Sequence, residues 1–147
     1  MTEITANIEP REPIKPVAFV AALILAPIVF TAPFFAMFLV SEALGDKAAL
    51  LAVVSVIPMV ALSFGALPYL VFGTPTFIIA LRRGLGLGGA GFLANVMAAT
   101  PIFLGMSFTE GFGGAAAFSI FMLLFGSIFA PAWGATFGWL YSKLASL

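Results

Sequence analysis

The chain has 147 residues, of which 63% are apolar and 8% are charged, and its mean hydropathy is +1.20. A soluble domain carries about 25% charged residues, so this composition excludes a globular domain with a water-covered surface. Six basic and six acidic residues cancel, and the chain has no Cys and no His, which excludes nucleic-acid binding by net charge, thiol redox chemistry and imidazole catalysis.

The length and hydropathy predict an all-α fold, a polytopic membrane protein with a bundle of four transmembrane helices. Each crossing needs about 20 apolar residues, so four crossings with short loops use nearly the whole of residues 17–147. The spans are predicted at residues 17–40, 48–72, 87–107 and 115–141.

Residues 1–16 differ from everything that follows them. They hold three acidic and two basic side chains together with three prolines, and closely spaced prolines oppose a continuing helix. We predict a flexible cytoplasmic tail over this segment. The first apolar stretch comes next, and we expect Pro27 and Pro33 to kink its helix without ending it.

The second apolar stretch is too long for one upright crossing. It contains Gly73-Thr74-Pro75, where Gly weakens a helix and Thr and Pro are typical of the start of the next one. We therefore predict that the crossing ends near residue 72. Residues 75–83 then lie at the membrane interface as a short helix or continue this second crossing at an angle.

The third stretch opens with a glycine-rich segment, residues 84–91. Its Gly-x-Gly-x-x-Gly spacing matches a dinucleotide-binding pattern by letter, but no strand precedes it. In lipid an unpaired backbone is costly, so a helix is favoured from residue 87 onward. The fourth stretch contains Pro131 and ends near Lys143.

Basic residues predict the orientation, because Lys and Arg in short loops mark the cytoplasmic side. With four crossings, five basic residues lie on one side and only Lys47 on the other, so both termini are predicted in the cytoplasm. Trp139 and Tyr141 suit an aromatic belt at the same boundary. The five basic residues are Arg11, Lys15, Arg82, Arg83 and Lys143.

Small residues recur at a spacing of four, which places them along one side of a helix. Such rows let membrane helices approach closely, and we predict that they are contact faces within the chain; the alternative is chance in a chain rich in Gly and Ala. The rows are Gly126, Ala130, Gly134 and Gly138 in the fourth helix, Gly86, Ala90, Ala94 and Ala98 in the third, and Ala18, Ala22 and Ala26 in the first.

Polar residues offer few candidates for chemistry. All charged residues fall in tails, loops or helix ends, and proton relays usually need them at mid-membrane. Asn95 is the one amide in an apolar span, and it either makes an interhelical hydrogen bond or coordinates a substrate or pigment. Arg82 and Arg83 either anchor the cytoplasmic boundary or contact a lipid phosphate or a partner carboxylate. We predict no catalytic residues, metal or cofactor.

Three local motifs in the second half of the chain resemble those of uncharacterised four-helix bacterial inner-membrane proteins. The resemblance implies a fold and a compartment, the bacterial inner membrane, and no reaction. The motifs are Gly73-Thr74-Pro75, Leu81-Arg82-Arg83-Gly84 and Gly134-x-x-x-Gly138-Trp139-Leu140.

The functional prediction is a non-enzymatic integral membrane protein that acts through helix–helix association, such as an accessory subunit of a membrane complex or a self-associating module. Its predicted partners are the lipid bilayer and either another membrane protein or a second copy, with no nucleic acid. The alternative is a small channel, permease or membrane-permeabilising protein, because six prolines bend the apolar spans.

Overall fold

The computed structural model describes residues 13–147, and the regular structure within them is entirely helical. The all-α prediction is therefore confirmed, whereas most of the predicted tail lies outside the described residues. The elements are α1 (Pro16–Leu44), a 3-10 turn (Gly45–Ala48), α2 (Ala49–Arg83), α3 (Leu87–Thr109) and α4 (Gly111–Ala145).

Three helical segments of the described chain are long and apolar enough to cross a membrane. They are Pro16–Arg83 with 68 residues, Leu87–Thr109 with 23 and Gly111–Ala145 with 35. The first segment contains both α1 and α2, because the 3-10 turn joins them without a gap, yet the two helices pack against each other. The chain therefore reverses at that turn.

Glycines with positive φ lie where the chain reverses direction between helices. Gly84 has φ +65° and ends α2. The Gly84 N–H donates to the Leu81 carbonyl (3.4 Å) and the Leu85 N–H donates to the Ala80 carbonyl (2.9 Å), which is a Schellman ending. Gly111, with φ +72°, similarly lets α4 begin directly after Glu110.

Of the two arrangements predicted after Gly73-Thr74-Pro75, the separate interfacial helix is wrong, since α2 continues through this segment to Arg83. The Thr74 hydroxyl donates to the Leu70 carbonyl (2.6 Å) and the Thr76 hydroxyl donates to the Phe72 carbonyl (2.9 Å). Pro75 has no N–H to donate to the Val71 carbonyl, and these two bonds go to the carbonyls on either side of it; membrane helices tolerate a proline of this kind. The other helices also exceed the predicted spans, by up to four residues at an end, because their polar ends stay helical.

The helices form a ring in which each packs against the next and α4 closes onto α1. The contact between α3 and α4 is the most extensive, α2 and α4 touch across the ring, and α1 and α3 do not touch. Aromatic rings fill the core. The Phe137 ring stacks on Phe77 at 4.6 Å between centroids, and Phe19 meets Phe137 edge-on at 5.2 Å.

Charged side chains of the described residues lie at the two ends of the helices. The end where α1 begins and α4 finishes, here called the basic end, carries Lys15, Arg82, Arg83 and Lys143. The opposite end, here called the acidic end, carries Glu42, Asp46, Lys47 and Glu110. The long apolar middle between them matches what a bilayer requires.

Candidate functional site

The small-residue row of α4 lies against α3. A methyl group on Gly134 would overlap the Leu87 carbonyl oxygen, and one on Gly91 would lie 2.8 Å from the Ala130 carbonyl carbon. The two backbones thus touch without side chains between them, as small residues permit in membrane proteins. Gly138 also belongs to this contact, because a methyl group there would lie 2.7 Å from the Leu87 side chain.

The predicted row of α3 is used in part. Ala90, Ala94 and Ala98 are buried. Gly86 precedes the helix, and a methyl group there would have no atom within 4 Å. The closest backbone approach on α3 is instead at Gly91, which the spacing of four missed. Ridges at spacings of three and four both occur on helices, and counting both would have included this glycine.

Asn95 joins α3 to α4. Its Nδ2 donates to the Leu123 carbonyl at 3.3 Å. Gly126 makes room for it, since a methyl group at that position would lie 2.3 Å from the amide carbon of Asn95. The interhelical hydrogen bond, one of the two interpretations of this residue, is thus present in the structure.

A lateral cleft between α2, α3 and α4 combines an apolar lining with a few polar side chains. Its volume is about 550 Å³, counted with the space that opens to the outside. Its walls are mainly aliphatic and phenylalanine side chains, with three exceptions: Asn95, Tyr69 and Trp133. Small residues of all three helices, among them Gly65, Gly91 and Gly126, create the space.

Tyr69 and Trp133 line this cleft, and each side chain carries an unpaired polar atom. The two side chains are only 4% and 2% exposed, and their rings meet edge-on with centroids 5.3 Å apart. Neither the Tyr69 hydroxyl nor the Trp133 Nε1 has a hydrogen-bond partner among the described residues. Buried Tyr and Trp usually find such a partner, so the two atoms are unusual in being enclosed and unpaired in the described chain.

Gly65 fixes the position of the Trp133 ring. A methyl group at Gly65 would lie 2.9 Å from the ring's Cη2 atom, so only glycine lets α2 accept the indole from α4. Sequence reasoning missed both aromatic residues of the cleft, because it considered Trp and Tyr at the membrane boundary. The available signal was their position, since both lie many residues from the ends of their helices.

Arg82 and Arg83 lie exposed at the basic end, at the last turn of α2. Arg82 lines a second pocket together with Lys15 and Tyr141. The Lys15 N–H donates to the Tyr141 hydroxyl at 3.2 Å, and Lys15 Nζ donates to the Ala145 carbonyl. These bonds join the start of α1 to the end of α4, although part of that start, residues 13–15, was predicted to be flexible.

Comparison with models of protein families, with curated proteins and with solved structures finds no match. The resemblance to bacterial inner-membrane proteins therefore stays a prediction from the sequence motifs.

Proposed function

We propose that the chain is a four-crossing protein of the bacterial inner membrane with both termini in the cytoplasm. The separation of charge supports this orientation, because the basic end carries four cations among the described residues and the acidic end carries one, Lys47. Cations near span ends favour the cytoplasmic side. In this arrangement α1 and α2 each cross the bilayer, and the 3-10 turn lies outside.

Single cysteines test the orientation, since the chain has none of its own. We expect Ser146→Cys to react with a membrane-impermeant maleimide only in inside-out vesicles. Asp46→Cys and Thr109→Cys should react only from the opposite face. Labelling of Asp46→Cys and Ser146→Cys from the same side would contradict three crossings between these positions, by α2, α3 and α4.

We further propose that the protein is non-enzymatic and acts by holding another molecule of the membrane in its lateral cleft. The unpaired Tyr69 hydroxyl and Trp133 Nε1 carry this proposal. In lipid no water is available for them, and an unsatisfied polar group in an apolar medium costs several kcal/mol. Both atoms are enclosed in the described chain, so a bound acceptor would remove that cost after the two side chains turn towards the cleft.

A cleft-filling substitution tests this function. Val60 lines the cleft from α2, and we expect Val60→Trp to displace any small molecule that co-purifies from native membranes, as detected by native mass spectrometry. Val54→Trp is the matched control, because Val54 is exposed on the same helix and does not line the cleft. Equal retention by both variants would count against the cleft as the binding site.

Association with another membrane protein was predicted from the small-residue rows. The α3 and α4 rows pack against each other within this chain, so they leave no comparable row of their own for a partner. An accessory-subunit role stays a proposal, which mild detergent extraction and sizing would test. A monomer with no co-purifying protein would contradict it.

A small permease is the second candidate function. Thr31 and Ser119 also bury hydroxyl groups without a partner among the described residues, so unpaired polar atoms occur on α1, α2 and α4. Transport sites in membrane proteins are built where several helices bring polar groups together. Solute flux into proteoliposomes would support this candidate, and flux equal to that of empty vesicles would oppose it.

A further inference from the structure

We propose that the pocket at the basic end, with Lys15, Arg82 and Tyr141 in its lining, binds the phosphate group of an anionic phospholipid. This site is separate from the lateral cleft. The inference rests on the proposed membrane crossing and orientation, and it does not depend on what the cleft binds. It follows from the hydrogen-bond donors of the pocket, from their accessibility and charge, and from the position of the pocket along the helices.

The pocket is lined by three polar side chains that donate hydrogen bonds. Lys15 Nζ has three N–H bonds, and the Ala145 carbonyl uses one of them. The Tyr141 hydroxyl accepts from the Lys15 backbone N–H at 3.2 Å, so its own proton is available for donation. Arg82 also interacts within the chain, but a guanidinium has five N–H donors and can share them with a ligand. The oxygens of a phosphate diester only accept, so they complement this set.

The two cations of the pocket are accessible, unlike the enclosed polar atoms of Tyr69 and Trp133. Lys15 and Arg82 are both exposed. The volume of the pocket is about 1230 Å³, counted with the space that opens to the outside, and it exceeds the range of about 300–1,000 Å³ typical of small-molecule sites. A lipid headgroup therefore reaches these cations without any rearrangement of the core.

The charge of the pocket favours an anion. Arg83 and Lys143 lie at the same end as the two cations of the lining, and all acidic side chains of residues 13–147 lie at the opposite end. The three glutamates of the first 12 residues lie outside the described part of the chain. A zwitterionic headgroup suits the pocket less well than an anionic one, because its own cation is repelled by the lysine and the arginine.

Aromatic side chains place the pocket at the level of the headgroups. Trp139, which is 56% exposed, precedes Tyr141 by two residues near the end of α4, and Trp and Tyr collect at membrane interfaces. The lining also includes the apolar side chains of Ile14 and Leu81. A phospholipid suits both parts of the lining, because its phosphate meets the cations while its glycerol and first chain carbons cover the apolar wall. Basic pockets between helices on the cytoplasmic side bind anionic headgroups in this way.

Competition between two lipids with the same acyl chains tests the proposal. The full-length protein in a mild detergent receives equal amounts of phosphatidylglycerol, which is anionic, and phosphatidylcholine, which is zwitterionic. Native mass spectrometry then counts the molecules of each lipid that are retained. We expect phosphatidylglycerol to bind about tenfold more tightly, because two nearby cations attract it. Glycerol 3-phosphate, a phosphate ester without acyl chains, should not displace it at equal concentration.

Two neighbouring arginines provide a matched pair of variants. Arg82→Gln removes a cation of the lining and should lower the preference for phosphatidylglycerol at least about threefold. Arg83→Gln removes the same charge from the next residue of α2, which does not line the pocket. It should leave the preference unchanged at about 0.15 M salt, where distant exposed charges are largely screened. Lys15→Gln should act like Arg82→Gln, and the thermal midpoint of each variant without lipid shows that it is folded.

The outcomes separate this site from the proposed function. Equal retention of the two lipids by the wild-type protein would overturn the pocket proposal and leave the membrane crossing, which cysteine labelling tests, unaffected. An equal loss of preference in Arg82→Gln and Arg83→Gln would overturn it as well, because the whole basic end would then attract the lipid. Displacement by glycerol 3-phosphate would assign the pocket to a free phosphate ester. A preference that is absent in the wild type and present in Glu12→Gln would assign it to the chain's own carboxylate.

Discussion

The two halves of this helical ring are held together differently. Towards the basic end, large rings such as Phe77 and Phe137 fill the core, and glycines bring α3 and α4 into backbone contact. Towards the acidic end, the buried positions include the hydroxyl residues Ser41, Ser55 and Ser119. Both halves are apolar, but large buried side chains fill the core only in the basic half. Mean hydropathy therefore does not predict where the tightly packed core lies.

Two buried hydroxyl groups in the acidic half, those of Ser41 and Ser55, turn back to their own helices. Ser41 donates to the Phe38 carbonyl at 2.7 Å and Ser55 to the Ala52 carbonyl at 2.9 Å. Such local bonds satisfy the hydroxyl without joining two helices. The basic half should therefore carry most of the stability of the tertiary structure.

The largest expected effect comes from breaking the backbone contact in the basic half. Gly134→Ile places a branched side chain against the Leu87 carbonyl, so α3 and α4 must separate. We expect a loss of about 3 kcal/mol or more in the free energy of unfolding, at the upper end of overpacking effects. Reversible unfolding in SDS mixed micelles measures it.

Gly105→Ile is the control for this comparison. Gly105 lies on α3 towards the acidic end and has open space where a side chain would stand. The same change there should alter the free energy of unfolding by less than about 0.5 kcal/mol, as at surface positions. Similar losses in both variants would show that the two halves do not differ in packing.

A smaller loss is expected from the aromatic core. Phe137→Ala removes a fully buried ring that contacts both Phe19 and Phe77. Because the unfolded chain stays in lipid, the transfer term of a core substitution largely disappears and the cavity term remains. We expect the free energy of unfolding to fall by about 2 kcal/mol in the same SDS assay. Phe108→Ala should cause no measurable change, because the Phe108 ring is exposed. Equal effects would contradict a core in the basic half.

The sequence predicted this division only in part. Composition and the placement of charges predicted the helices and their charged ends, because a membrane-spanning helix needs a long apolar stretch bounded by polar residues. The rows at spacing four identified Gly134 but missed Gly91, since the pairing of α3 with α4 depends on how both helices are rotated. Tyr69 and Trp133 were missed for a similar reason. They come from helices far apart in the sequence, and their lack of partners is visible only when the two helices are placed together.

The smallest expected effect has the opposite sign and tests the acidic half. Ser119 on α4 is buried, and its hydroxyl has no partner among the described residues. An unsatisfied buried hydroxyl is destabilising, so its removal in Ser119→Ala should raise the free energy of unfolding by about 1 kcal/mol. Ser127→Ala, on the same helix, is the control, because Ser127 is exposed and donates to the Leu123 carbonyl at 2.6 Å. The free energy of unfolding of the control should change little. A loss of stability in Ser119→Ala would mean that the Ser119 hydroxyl has a partner in the membrane, such as water or a transported solute. The permease candidate requires such a partner.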